Sequence, residues 1–250
     1  MIQLSHVSKR FGDQEVIHDL SLKIPQNETI VLIGPSGCGK STLLRLMIGL
    51  LVPEEGKVSL FQQELTSENI ESVRQKVGFV LQDGGLFPHL TAKQNTCLMA
   101  QFLGHETNWI NSRLSELRDL THLSDAVMDR YPNQLSGGQI QRVALMRALM
   151  LDPDILFLDE PLGALDPLHR VGLQEDMKTI FTQLKKTVVM VTHDMGEAAS
   201  LADKIVLMRE GRIVQFDTLT NLSTTPADPF VTTFINAQRK PWQHLEDQIK

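Results

Sequence analysis

The chain has 250 residues, 42% of them hydrophobic and 22% charged, with a formal net charge of -6 and two cysteines, Cys38 and Cys97. Those proportions exclude a disordered chain. The acidic balance argues against a nucleic-acid partner, and two cysteines outside any CxxC pair exclude a disulfide framework and fit a reducing cytoplasm. The opening residues lack the apolar stretch of a signal peptide, and no run approaches the roughly 20 apolar residues that cross a bilayer, so any membrane role is expected to be peripheral.

In chain order, "MIQLSHVSKRF" and "EVIHDLSLKIP" alternate apolar and polar residues around the turn-like "GDQ" and predict two strands. "ETIVLIG" is a continuous apolar run of strand length that ends in a Gly-rich loop, and a helix is expected from Lys40 to about Gly49. After the turn "VPEEG" come the strands "KVSLF" and "KVGFVLQ". From about Leu86 to Leu151 the pattern turns helical, in "AKQNTCLMAQFL", "NWINSRLSELRDLT" and "GGQIQRVALMRALMLD". Strands return in "DILFLDEP" and "TVVMVTHD", with a helix between them. They are followed by a hairpin turning at Glu210–Gly211 and a helix near "DPFVTTFINAQ". Met146, Met150 and Met190 sit in apolar runs and read as core.

The phosphate chemistry begins at Gly34, Pro35, Ser36, Gly37, Cys38, Gly39, Lys40, Ser41 and Thr42. Gly34 to Ser41 fit G-x-x-x-x-G-K-[ST], a loop whose glycines let backbone N–H groups turn inward around an anion. The helix behind it offers the positive end of its dipole. Lys40 is expected to neutralise β/γ-phosphate charge and Ser41 to ligate Mg²⁺. Such a loop needs a carboxylate at the end of a neighbouring strand, and "ILFLDE" supplies Asp159 to hold Mg²⁺ through water, with Glu160 as the general base. The expected fold class is α/β, a P-loop NTPase (RecA-like) core with a mostly parallel sheet. It carries an N-terminal antiparallel β-region and an inserted α-helical subdomain.

The residues Leu135, Ser136, Gly137, Gly138 and Gln139 then narrow the reading. Ser136 is placed to cap a helix whose paired glycines expose N–H groups, which makes a second anion site. Two phosphate-binding surfaces with one complete nucleotide pocket point to a head-to-tail dimer, each copy closing over its partner's ATP. On these motifs the chain closely resembles the ATP-binding cassette (ABC) ATPases over about residues 1 to 220. The resemblance implies that "LSGGQ" contacts ATP held by the opposite subunit. It also implies that Gln82 touches Mg²⁺ and the attacking water and senses a membrane partner. Ala164, Leu165 and Asp166 would form the D-loop at the dimer interface, His193 would contact the γ-phosphate, and Phe11 would stack on adenine.

One signature and one phosphate loop set the chain apart from two-cassette translation factors, and the helical block lacks the heptads of chromosome-type members. Finer resemblance in "QDGGLFPHLTAKQN", "PLGALDPLHRVGLQEDM" and "PADPFVTTFINA" is to the ATPase subunits of glycine betaine, choline and proline importers, with amino-acid or polyamine importers and a soluble non-transport ATPase as alternatives. Expected partners are a second copy, two transmembrane permease subunits and, indirectly, a substrate-binding protein, at the cytoplasmic face of the membrane. Residues 1–236 are expected to form the ATPase domain, with 1–85 and 152–220 as core, 86–151 as the helical subdomain and 237–250 as a tail. Many osmoprotectant ATPases continue into paired regulatory modules, and on this resemblance ionic-strength sensing through such modules is not expected here. Cys38, beside Lys40 and a helix start, is read either as a thiol of lowered pKa or as a small residue tolerated in the loop.

Overall fold

The structure, a computed structural model, describes residues 1–163, 165 and 167–238. In chain order the elements are β1 (Ile2–Phe11), β2 (Gln14–Ile24), β3 (Thr29–Ile33), α1 (Lys40–Met47), β4 (Glu55–Leu60), β5 (Gln63–Glu64), α2 (Ile70–Arg74) and β6 (Val77–Val80). Helices α3 (Ala92–Phe102), α4 (Thr107–Leu120), α5 (Asp125–Met128) and α6 (Gly137–Leu149) follow. Next come β7 (Ile155–Asp159), α7 (Pro167–Leu184), β8 (Thr187–Val191), α8 (Met195–Leu201), β9 (Lys204–Arg209), β10 (Arg212–Asp217), α9 (Leu219–Thr224) and a last helix, α10 (229–238). The backbone divides into two compact units, one of Met1–Glu64 with the chain from Val191 onward, the other of Leu65–Met190.

In the first unit, β1 pairs antiparallel with β2 and with β4, Ile2 facing Ile24 on one side and Leu60 on the other. Ile2 and Leu4 are buried while Gln3 is exposed, the alternation that one solvated sheet face produces. All five residues of β3 are buried, and β3 pairs in parallel with β9 from Ile30↔Lys204 to Ile33↔Leu207. The β9–β10 hairpin turns through Glu210 and Gly211, both at positive φ (48° and 71°), which suits a tight turn between twisted strands.

In the second unit, β7 lies between β6 and β8 and pairs in parallel with β6, Val77 facing Ile155 and Val80 facing Leu158. Every residue of β7 and β8 is buried, as their unbroken apolar runs predict for strands covered on both faces. The α3 start carries a capping box in which the Thr91 side chain and Gln94 satisfy each other's backbone N–H groups. Val143, Ala144, Met146, Leu149 and Met150 of the α6 segment are wholly buried, and Met190 with them. The α/β expectation holds, with parallel strand pairs in the core and antiparallel ones at the N-terminus. Among the described residues no helix is long and apolar enough to cross a membrane.

Candidate nucleotide site

The phosphate loop leaves β3 at Ile33 and enters α1 at Lys40, with Gly39 at the N-cap in the left-handed region (φ 102°). Its tightness has a steric source at two glycines. A Cβ on Gly34 would lie 2.2 Å from the Met208 carbonyl oxygen, and one on Gly39 would lie 2.8 Å from Ile17 Cδ1. The Gly211 N–H donates to the Cys38 carbonyl at 3.0 Å, so the β9–β10 turn braces the loop from outside. Lys40 is only 5% exposed, and its Nζ donates to the carbonyls of Gly34 (2.8 Å) and Pro35 (3.0 Å). Carbonyl oxygens solvate the ammonium without neutralising it, so its charge stays available to an anion. Pro35, Ser36 and Gly37 are exposed, and Ser41 and Thr42 half-buried. The loop therefore fits a polyphosphate.

The Cys38 thiol corrects one of the two sequence readings. Burial pushes its pKa above the ordinary thiol value, and the nearby Lys40 charge offsets only part of that rise. Desolvation of a thiolate outweighs one ammonium here, which leaves the reading of a small residue filling the loop.

In the same unit, the chain leaves β8 at Val191 and passes through Thr192, His193 and Asp194 into α8. The Thr192 N–H donates to Leu32 O at 3.2 Å, tying this turn to the strand that feeds the phosphate loop. The Thr192 hydroxyl donates to Glu197 Oε2 at 2.5 Å, and the Asp194 N–H donates back to that hydroxyl at 3.1 Å. The Asp194 carboxylate caps α8 at the N–H groups of Gly196 (2.6 Å) and Glu197 (3.1 Å). Thr192 and Glu197 are both buried, while His193 is exposed between clamped neighbours. The Gln238 amide of α10 donates to the His193 carbonyl at 3.4 Å. Phe11 ends β1 at 49% exposure, with the Lys9 ammonium 5.6 Å from its ring centre.

In the second unit, Asp159 closes β7 at 5% exposure and Glu160 follows in the left-handed region (φ 46°). A carboxylate buried at a strand end fits a cation site better than a solvent edge. Ser136 caps α6, its hydroxyl accepting from the Gln139 N–H (3.3 Å) while Gln139 Oε1 accepts from the Ser136 N–H (3.0 Å). Leu135 is half-buried, Ser136 and Gly137 are exposed, and a Cβ on Gly138 would meet nothing within 4 Å. Gln82 is exposed just past β6, and its carbonyl accepts from Gln141 Nε2 at 2.7 Å. Leu165 is buried, whereas Ala164 and Asp166, the other D-loop positions, lie outside the described residues.

Four residues escaped the sequence reading: Thr192 and Glu197 beside His193, and Gln141 and Arg147 on α6. Glu197, Gln141 and Arg147 stand as polar side chains inside helical runs and Thr192 in the turn that leaves β8, positions that periodicity alone assigns to surface or chance. Asn95 is a fifth such case. It is wholly buried and holds the loop before α3, accepting from the Phe87 N–H (2.7 Å) and donating to the carbonyls of Phe87, Leu90 and Thr91. In the same unit a groove of about 590 Å³ is lined by Phe79, Leu81, Phe87, Met99, Phe102 and Arg147, among other residues.

Comparisons with known proteins agree with these elements. The family model described as ABC transporter matches residues 17–163. The carnitine transport ATP-binding protein OpuCA of Listeria monocytogenes is 41% identical over 96% of this chain and 60% of its own length. The chain thus spans about three fifths of that relative. The glycine betaine uptake system ATP-binding protein YehX of Escherichia coli is 42% identical over 94% of this chain and 76% of its own. Among solved structures, the dimeric post-hydrolysis state of the ATP-binding cassette MJ0796 bound to ADP and Pi has a TM-score of 0.79 at 33% identity, covering 88% of this chain and 99% of the other.

Proposed function

The chain belongs to the ABC transporter family, and on that premise we propose that it is the ATP-binding, ATP-hydrolysing subunit of an importer for a glycine betaine-, choline- or carnitine-type osmoprotectant. Two copies would sandwich two ATP molecules head to tail, each between the phosphate loop of one chain and the "LSGGQ" of the other. The observation that carries this reading is the exposure of Ser136 and Gly137 at a helix N-terminus whose side-chain cap is already satisfied internally. Such an N-terminus keeps backbone N–H groups directed outward, toward a nucleotide held by another chain. The cassette MJ0796, similar over most of the chain, is dimeric with ADP and Pi.

Within that reading Lys40 would bind the β- and γ-phosphates, and Ser41, Asp159 and Gln82 would hold Mg²⁺. The ion would shield phosphate charge. Glu160 takes the proton of the attacking water, His193 contacts the γ-phosphate, and Phe11 stacks on the base. Residues 86–151 form the lobe that, with the Gln82 loop, meets two permease subunits at the cytoplasmic face of the membrane. Support for that docking comes from the apolar groove, where Phe87, Met99 and Phe102 are 45%, 42% and 80% exposed.

The test of the engine is Glu160→Gln, which is expected to trap an ATP-dependent dimer with turnover lowered at least 100-fold. Undiminished hydrolysis removes Glu160 from the base role. The cargo is tested by uptake of labelled glycine betaine, choline and carnitine, with sulfate and an amino acid as controls, in cells lacking the gene. Unchanged uptake of all three amines refutes the osmoprotectant assignment.

A further inference from the structure

The Gln82 loop and the "LSGGQ" helix are joined by side chains that neither motif includes. Helix α6 begins at the Ser136 cap and runs to Leu149. Five residues into it, Gln141 sends Nε2 to the Gln82 carbonyl at 2.7 Å. Less than two turns further on, Arg147 donates Nη1 to the Gly85 carbonyl and Nη2 to the Gly84 carbonyl, each at 2.7 Å. Gly84 lies directly on the helix, since a Cβ there would stand 2.7 Å from Ile140 Cγ2. Three carbonyls of a four-residue stretch are thus held by one helix. The Arg147 fork is largely buried, and desolvation draws its pKa below the ordinary guanidinium value, with Asp83 opposing.

Gln141 is 4% exposed, and its Oε1 has no hydrogen-bond partner among the described residues. A buried acceptor left unpaired costs about 1–3 kcal/mol. A methionine of the same length would remove that cost, so packing alone does not account for glutamine here. The donor end explains it: the residue exists to grip the Gln82 main chain. Its unpaired acceptor would also accommodate a second hydrogen bond if the loop shifted along the helix.

We propose that Gln141, with Arg147 as the fixed anchor, is a positioning residue that makes the Gln82 loop and the "LSGGQ" N-terminus move as one piece. Displacement of residues 82–85 is then delivered through α6 to Ser136 and to the partner's ATP. This rests on the dimer reading above and extends it, because Gln82 and Ser136 serve different nucleotides in that dimer.

The experiment uses the full chain carrying Glu160→Gln to arrest hydrolysis. A fluorescent ATP analogue gives the affinity of the dilute monomer, and sedimentation with saturating ATP gives the dimer affinity. Gln141→Met is expected to melt within a few degrees of its parent and to bind ATP as a monomer within about twofold, because Gln82 is exposed and water replaces the lost donor. Its dimer is expected to weaken at least tenfold. In the chain with Glu160 intact, kcat should fall about tenfold with KM little changed. Arg147→Lys keeps the charge, loses the two-pronged grip, and should weaken the dimer in the same way.

A purely structural role for Gln141 would lower the melting temperature and monomer affinity together and leave no separate loss of dimer. Dimer affinity unchanged in both variants overturns the coupling while the dimer reading stands. A Glu160→Gln chain that binds ATP and stays monomeric overturns the dimer reading, and the coupling falls with it.

Discussion

Replacing Gly34 with alanine tests what shapes the phosphate loop. The added Cβ would stand 2.2 Å from the Met208 carbonyl oxygen and 2.9 Å from Cys38 Sγ. The first distance is more than ~1 Å inside the roughly 3.5 Å of ordinary contact. Met208 cannot retreat cheaply, because β9 is held by β3 on one side and by β10 on the other, with Ile213 facing Met208. Overpacking of this kind costs about 1–3 kcal/mol, and a rigid backbone obstacle puts Gly34→Ala near the upper end. At about 2–4 °C per kcal/mol for a chain of this size, the melting temperature should fall by roughly 6–12 °C.

Gly37→Ala is the control. A Cβ there meets nothing within 4 Å, and φ is 77°, so only backbone strain is added. That strain is about 1 kcal/mol, or roughly 2–4 °C. Calorimetry gives the two melting temperatures, and a fluorescent ATP analogue gives affinity, which should drop more than tenfold for Gly34→Ala as the loop is pushed off β9. If Gly34→Ala melts as high as Gly37→Ala, contact with β9 is not what fixes the loop.

Three further outcomes are expected. Burial raises the pKa of both Cys38 and Cys97, so the folded chain holds those protons more tightly than the unfolded one. Their contribution to stability is complete below the unfolded thiol pKa and is lost as pH rises through the higher folded value. A thiol reagent at pH 7.5 should therefore react slowly with the native protein and promptly with two thiols after guanidinium, and rapid native labelling of Cys38 would contradict the burial. Ser136→Ala removes the acceptor for the Gln139 N–H, costing about 1 kcal/mol of helix capping and a few degrees of melting temperature. ATP-driven dimerisation should fall well beyond that, and a loss no larger than the capping cost would argue that Ser136 only caps. Glu197→Ala strips the buried Thr192 hydroxyl of its acceptor and should destabilise the chain by about 1–3 kcal/mol in denaturant titration. Combining it with Thr192→Val should be less than additive, and strict additivity would separate the two groups.

The motifs legible in the sequence are those in which local chemistry is complete within a few residues. The phosphate loop needs only glycines, a lysine and a hydroxyl at fixed spacing between a strand and a helix. The Ser136–Gln139 cap closes on itself within one turn. The unbroken apolar runs of β3, β7 and β8 announce strands buried on both faces, and all are buried. Only the tertiary structure decided the contacts that cross long stretches of chain. Gln141 reaches back to Gln82, Gly34 presses on Met208, and the Thr192 N–H finds Leu32. It also decided between the two readings of Cys38, because burial raises the thiol pKa by more than the neighbouring Lys40 lowers it. The reason is common to all four: what a polar or small residue does depends on which atoms folding brings within about 4 Å of it, and that distance is not a function of spacing along the chain.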